Sequence, residues 1–285
     1  MTTLTSAGRV PGRRRTGFVW GLVAWAAGIL FALPIGWMLL TSLHGEEDAA
    51  TNPPSLAAPL TLDGYREFFG ASTGTSPWPA LVNSLTASVA STLLVLVLAI
   101  PAAYALSVRP VRKWSDVLFF FLSTKMMPAV AGLLPIYLVA QNLGLLDNIW
   151  LLVVLYTSMN LPIAVWMMRS FLAEIPVAIL EAAAIDGAPL PTVFRRIIIP
   201  IASPGIAATS LICFIFSWNE MLFARVLTGV RSTTAPVFLT SFVTSQGLFL
   251  AKVCAAALAV SLPVLIAGFA AQDRLVQGMS LGAVK

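Results

Sequence analysis

Two charged residues stand well inside long apolar runs, away from their ends, and they are the first candidates for chemistry. Lys125 lies about nine residues into one run, near the middle, where an ammonium costs about 2.5–3.5 kcal/mol on membrane-insertion scales. Glu220 follows Trp218 and Asn219 in another run. Carboxylate and amide groups exchange hydrogen bonds with hydroxyls, and an indole face covers C–H surface, so this triplet suits a hydroxylated solute. Interhelical hydrogen bonding or an outer gate is the structural alternative for the same residues. Lys125 has three readings: a bond to a solute hydroxyl, a pair with a carboxylate, or a structural pair with a neighbouring helix. Asn83, Asn160 and Gln246 are further polar residues suited to lining a path. Arg225 is five positions beyond Glu220, on a different helix face, and is not its obvious mate.

Other chemistries are missing. Cys213 and Cys254 lie far apart within apolar runs and read as small core residues. The single histidine, His44, precedes the acidic cluster Glu46, Glu47 and Asp48 and reads as a solvated loop residue. No cysteine or histidine cluster offers a zinc or haem site, so the expected metal and cofactor content of the chain is none. No G-x-x-x-x-G-K-[ST] loop is present to cradle phosphates, so ATP hydrolysis is not expected of this chain, nor is it expected to be an enzyme alone.

The elements that must position these residues follow from composition. Of 285 residues, 58 % are hydrophobic and 10 % are charged, and the mean hydropathy is +0.89. Soluble domains carry roughly 25 % charged residues. The deficit excludes a soluble enzyme, a secreted domain and a disordered chain. Six apolar segments, 17–43, 80–107, 116–141, 148–170, 203–227 and 251–272, reach or approach the length of about 20 residues that a helical span requires. In a bilayer each must be a helix, because its backbone groups have no water to bond. The predicted class is all-α, a polytopic membrane protein with six transmembrane helices. Prolines 34, 101, 128, 135, 162 and 263 fall within the segments and are expected to bend them. Ala24-Trp25-Ala26 mimics a signal cleavage site, but the apolar run continues to Leu43 and reads as an uncleaved first span. No internal repeat is evident.

Charge placement predicts orientation. Twelve of the seventeen basic residues fall on one side: Arg9, Arg13, Arg14, Arg15, Arg109, Arg112, Lys113, Arg169, Arg195, Arg196, Arg274 and Lys285. The opposite loops hold only Arg66 and Arg231. Both termini are therefore expected in the cytoplasm. Residues 1–16 and 273–285 are the cytoplasmic tails, and 17–272 is the membrane domain. The outer stretch 44–79 is expected to be a loop, structured or partly mobile, and not a domain. The net charge of +5 sorts by membrane side and gives no nucleic-acid surface.

The long cytoplasmic connection 173–201 is patterned. Glu181-Ala182-Ala183-Ala184-Ile185-Asp186-Gly187 reads as a helix over 177–186 closed by Gly187. Pro189 and Pro191 interrupt it, and an amphipathic stretch 192–199 leads to Pro200. Helix, tight turn and helix make a compact knob, with alanines permitting close approach by a partner. An amphipathic loop on lipid headgroups is the alternative, and Glu181 and Asp186 are poor anchors for it.

This pattern resembles the EAA loop of ATP-binding-cassette importer permeases. Glu-Ala-Ala, Gly187, Ile197 and Ile199-Pro200 stand at the family spacing, with Ile199 where the family usually has leucine. The resemblance extends over nearly the whole chain and is nearest to carbohydrate permeases such as the maltose-importer subunit with the shorter first outer loop. It is carried by Asn83-Ser84, Pro101-Ala102-Ala103-Tyr104-Ala105, Gly144-Leu145-Leu146-Asp147, Trp218-Asn219-Glu220 and the tail Gly282-Ala283-Val284-Lys285. Ser123-Thr124-Lys125-Met126-Met127-Pro128 is similar to the sorbitol and mannitol branch.

The resemblance implies a type I importer permease fold in a bacterial plasma (inner) membrane. It implies a second homologous permease, two ATPase subunits that use ATP and Mg, and an extracytoplasmic solute-binding protein. The ATPase-coupling residues it implies are Glu181, Ala182, Ala183, Asp186 and Gly187, with Arg195, Arg196 and Pro200 on the same knob. The tail is either an arm reaching between the ATPases or a frayed terminus. Asn83, Lys125, Asn160, Trp218, Asn219 and Glu220 are the candidate substrate path. The rivals are a permease of the same fold for amino acids, peptides or phosphate, and an ion-coupled secondary transporter or channel subunit.

Overall fold

A computed structural model describes residues 13–51, 57–70, 76–108, 111–244 and 247–282. The expectations for Arg9, Arg109, Gln246 and the tail residues 283–285 lie outside the described residues. Helix α1 runs Arg13–Ser42, followed by the short α2 (Glu46–Ala49) and α3 (Asp63–Phe69). Then come α4 (Trp78–Ser107), α5 (Trp114–Met126), α6 (Ala129–Asn142) and α7 (Ile149–Leu172). The connection that follows holds α8 (Val177–Ile185), α9 (Leu190–Val193), a π-helical segment Phe194–Ile198 and α10 (Ile199–Ile201). Helices α11 (Ser203–Trp218), α12 (Leu222–Leu227), α13 (Ala235–Leu239) and α14 (Leu250–Gly282) complete the chain. A two-residue antiparallel pair, Val243–Thr244 with Gly247–Leu248, is the only sheet among the described residues.

Four helices are long and apolar enough to span: Phe18–Ser42, Trp78–Ser107, Ile149–Leu172 and Leu250–Asp273. Two bent helix pairs bring the number to as many as six. Prolines 34, 101, 135, 162 and 263 sit inside helices, as expected for spans. At the centre α4 packs on α7, with α11 against both and α14 against α11. The buried face of α4 is almost entirely small, with Ser84, Ala87, Ser88, Ser91, Thr92, Ala99 and Ala103. Lipid offers apolar side chains no less favourable a medium than protein, so spans associate through close backbone approach over such residues.

Two predicted spans are not continuous. The third, expected over 116–141, is α5 and α6 meeting at 85°. Met127 and Pro128 are extended, with ψ 127° and 123°; the proline ring disfavours the helical conformation of Met127 before it. The fifth, expected over 203–227, ends at Trp218 and restarts at Leu222. It is also reached through a 79° bend from the segment Leu190–Ile201.

The described parts of the connection after α1 dock on α14. His44 is buried and bridges Leu60 through the backbone, which corrects its expected solvation. The chain from Leu60 folds back over it, with Thr61 N–H bonded to Leu43 O at 2.6 Å. The Glu46 carboxylate accepts the N–H groups of Ala251 and Lys252 at the N-terminus of α14, where the helix dipole favours an anion. Lys252 pairs with Glu67.

Candidate functional site

Helix α8 forms where the sequence pattern places it, and its end is a complete Schellman motif. Ala188 N–H bonds Ala183 O at 3.0 Å, and Gly187 N–H bonds Ala184 O at 3.1 Å. Gly187 takes φ +66° with open space where a Cβ would lie, so glycine is required by conformation and not by crowding. After α9, Ile199 N–H reaches back five residues to Phe194 O. Pro200 follows with no N–H to donate, and the π register absorbs that gap. Glu181, Ala182, Asp186, Gly187, Arg195, Arg196 and Pro200 are all exposed, and Ala183 alone of the expected coupling set points inward. Ile185 is 86 % exposed between the two acids of the motif.

The knob is part of the span core. Ala183, Val193, Ile198 and Ala202 belong to one buried cluster with Ala99, Ala103 and Leu106 of α4 and Ala164, Val165 and Met168 of α7. The Tyr104 and Phe194 rings meet at 4.9 Å. The Phe171 ring occupies the space that a Cβ on Gly205 would need, so the two ends of the loop are clamped together. A cavity of about 290 Å³ lies at the base, lined by Tyr104, Ser107, Leu172, Leu180, Glu181 and Leu190 among others. Arg169 was legible only as an orienting charge. Its Nε donates to Leu106 O at 3.2 Å, and its guanidinium lies 3.9 Å over the Trp114 ring, tying α4, α5 and α7 at one point. An aromatic at the start of α5 and an arginine in the last turn of α7 are the sequence signal for this contact.

The six candidate path residues divide. Asn83 donates to the carbonyls of Arg231 and Thr233 at 2.9 and 3.0 Å. Asn160 is fully buried and donates to Ser217 Oγ at 2.9 Å, which in turn meets Ser91 Oγ at 3.1 Å. Trp218 is 2 % exposed, and its indole N–H bonds Val260 O at 3.1 Å, so its ring has no free face for a solute. Glu220 stands in the break between α11 and α12, not inside a helix. Its two carboxylate oxygens accept the N–H groups of Phe223 and Ala224 at 3.0 and 3.3 Å, capping α12. These four are structural here.

Lys125 and Asn219 are exposed, and the Asn219 amide N–H donates to Ile215 O of its own helix at 2.9 Å. Lys125 Nζ is 5.9 Å from the Phe216 ring centroid, and Phe216 is itself 43 % exposed. Among the described residues no carboxylate forms an ion pair with Lys125. Phe216 and Asn219 are three apart at the end of α11, on one face. An ammonium, a ring and an amide thus stand on a common open surface beside the break in the third span. Nothing in an apolar run marks which phenylalanine stays uncovered, so the sequence alone does not single out Phe216.

Residues 95–280 match the family described as the binding-protein-dependent transport system inner membrane component. The chain belongs to that family. It is 35 % identical over 267 residues to the probable ABC transporter permease protein y4oR of Sinorhizobium fredii, covering 94 % of this chain and 95 % of the relative. It is 30 % identical to the trehalose transport system permease protein SugB of Mycobacterium tuberculosis, covering 89 % and 92 %. Identity to the diacetylchitobiose uptake system permease protein DasC of Streptomyces coelicolor is also 30 %, covering 94 % and 98 %. Among solved structures, a bacterial ABC transporter that imports the acidic polysaccharide alginate matches with a TM-score of 0.74 at 22 % identity, over 95 % of this chain and all of the other. That likeness establishes the fold of an importer permease. The permease is an inner-membrane transport subunit working with a binding protein and a separate ATPase, and it is not itself an enzyme.

Proposed function

We propose that this permease is one half of the membrane channel of an ATP-driven importer for a sugar or polyol. A second, homologous permease completes the channel. Two ATPase subunits, using ATP and Mg, dock on the knob 173–201, and a binding protein delivers solute to the opposite side. Both termini are cytoplasmic, with 1–16 and 273–285 as tails of the membrane domain 17–272. The observation that carries this reading is the continuity of the knob with the span core. Ala183 and Ile198 are packed in the same cluster as Ala99 and Val165, while Glu181, Asp186 and Gly187 stay free for a partner. A push on α8 therefore moves α4 and α7. The sugar class is supported by relatives described as carrying trehalose and diacetylchitobiose. It is supported also by the surface of Lys125, Phe216 and Asn219, where hydroxyls find donors and acceptors and C–H faces find a ring.

Purification of the tagged permease from its own cells tests this directly. An ATPase and a second permease are expected to come with it, and a functional homomer would overturn the reading. Screening the accompanying binding protein against polyols, disaccharides, amino acids and phosphate then identifies the solute. Within the assembled complex, Glu181→Lys and Gly187→Pro are expected to lower solute uptake at least tenfold while the permease pair still assembles. Unchanged uptake would remove the coupling role from α8.

A further inference from the structure

Two spans break on the same open surface. Helix α5 has 13 residues and α11 has 16. At 1.5 Å per residue they run about 20 and 24 Å before they stop. A hydrocarbon core is about 30 Å thick, and both helices end within it. Both start at the knob end, where Arg169 covers Trp114 and Ser203 follows Ile199–Ile201. Their far ends therefore lie at similar depth. Lys125 Nζ, from the last turn of α5, stands 5.9 Å from the Phe216 ring in the last turn of α11. Met127, Pro128 and Asn219, which leave the helices, are exposed. Non-helical backbone at membrane depth is tolerated against protein or water and not against lipid, so this surface is not a lipid face.

The last carbonyls of a helix have no partner within it. Helices α4, α6 and α7 close with a bond from the next residue: Val108 N–H to Tyr104 O, Leu143 N–H to Val139 O and Ala173 N–H to Arg169 O. Met127 makes no such bond after α5 among the described residues, and Pro128 has no N–H to give. At the end of α11, Ile215 O takes both the backbone and the side-chain N–H of Asn219, at 3.1 and 2.9 Å. Glu220 N–H, which a continuing helix gives to Phe216 O, goes to Ser217 O at 3.4 Å instead. Each helix C-terminus is equivalent to roughly −0.5 charge, so two of them offset one ammonium. That accounts for Lys125 standing here although no carboxylate among the described residues pairs with it.

We propose that the ends of α5 and α11 form one solute subsite, with backbone carbonyls as its acceptors and Lys125 as its balancing charge, and that it takes a neutral polyhydroxylated solute and rejects sugar acids and amino sugars. Hydroxyl hydrogens go to the carbonyl oxygens and to Asn219 Oδ1, hydroxyl oxygens accept from the ammonium, and a C–H face lies on Phe216. A carboxylate meets the two negative helix ends, and an amine meets Lys125. The inference rests on the sugar-importer reading above and adds to it the charge class of the solute and the backbone that receives it.

The screen of the accompanying binding protein is the first test. A neutral sugar or polyol is expected. A sugar acid or an amino sugar would overturn the charge class and leave the importer reading standing, whereas an amino acid or phosphate would defeat that reading itself. Uptake of the labelled solute from that screen is then followed in proteoliposomes holding the whole complex. Lys125→Ala is expected to raise the half-saturating concentration five- to tenfold. Added propylammonium, which returns a free ammonium to the two helix ends, is expected to bring it back to within twofold of wild type, and propanol to have no effect. An assembled Lys125→Ala complex that propylammonium does not rescue, or that propanol rescues equally, would overturn the proposal. Loss of the second permease from that complex would overturn it too, by making Lys125 a contact between permeases.

Discussion

At the scale of the residue, the same side-chain types serve opposite ends depending on their backbone. Glu220 reads from sequence as a carboxylate offered to solute, yet both its oxygens cap α12. Loss of a cap costs about 0.5–2 kcal/mol. Glu220→Gln keeps an acceptor oxygen and is expected to transport at near wild-type rate. Glu220→Ala is expected to lower the melting temperature of the purified permease by a few degrees. Abolished transport in Glu220→Gln, with the protein still folded, would mean that the charge itself is used. Lys125 is the reverse case, because no carboxylate among the described residues pairs with it and it stands exposed beside Phe216. Lys125→Gln and Phe216→Ala are expected to raise the half-saturating solute concentration for uptake five- to tenfold. Phe216→Tyr keeps the ring and is expected to be mild. Equal loss of assembly in all three would assign the surface to packing against the partner permease.

At the scale of the element, the connection between α7 and α11 behaves as one body because its ends are tied. Arg169 joins the last turn of α4, the start of α5 and the end of α7. A cation–π contact of this kind contributes about 0.5–2 kcal/mol, and a hydrogen bond to a charged donor about 1.5–3 kcal/mol. Arg169→Ala is expected to raise hydrogen exchange in the last turn of α4 and the first of α5 roughly tenfold, since about 1.4 kcal/mol is a factor of ten. Arg169→Lys keeps the orienting charge without the planar stack and is expected to behave more like Arg169→Ala than wild type. Protection unchanged in both would make the stack incidental. These elements show what was legible. The helix over 177–186 and its Gly187 closure follow from local propensity and a turn that only glycine enters easily, so the sequence carries them. The breaks at Met127-Pro128 and Asn219–Met221 do not appear in hydropathy, because a window of apolar residues averages over the two or three that leave the helix. Pro128 marked a bend but not its 85° size, which depends on what α5 and α6 pack against. Burial of Asn160 and Trp218 is a tertiary fact, and one-dimensional spacing cannot tell an inward polar residue from one facing water.

At the scale of the whole molecule, orientation decides whether the two ends can do what is proposed for them. The permease carries a clamped knob at one end of α7 and, just before the other, Asp147, whose carboxylate accepts the N–H groups of Gly229, Arg231 and Ser232. Arg231, one of the two basic residues expected outside, lies at that end, while Arg195 and Arg196, expected inside, lie on the knob. Charge asymmetry orients spans because basic residues are retained in the cytoplasm. Single cysteines test the arrangement in intact cells, in a background with Cys213 and Cys254 replaced by alanine. Arg231→Cys is expected to react with a membrane-impermeant maleimide from outside, and Arg196→Cys only after the cells are opened. Both positions are exposed, so lack of reaction would report sidedness and not burial. The inverse pattern would place Glu181 and Asp186 outside, where no ATPase can meet them. It would put Arg231 in the cytoplasm and defeat the proposed orientation, since the length of α7 keeps the two ends on opposite sides.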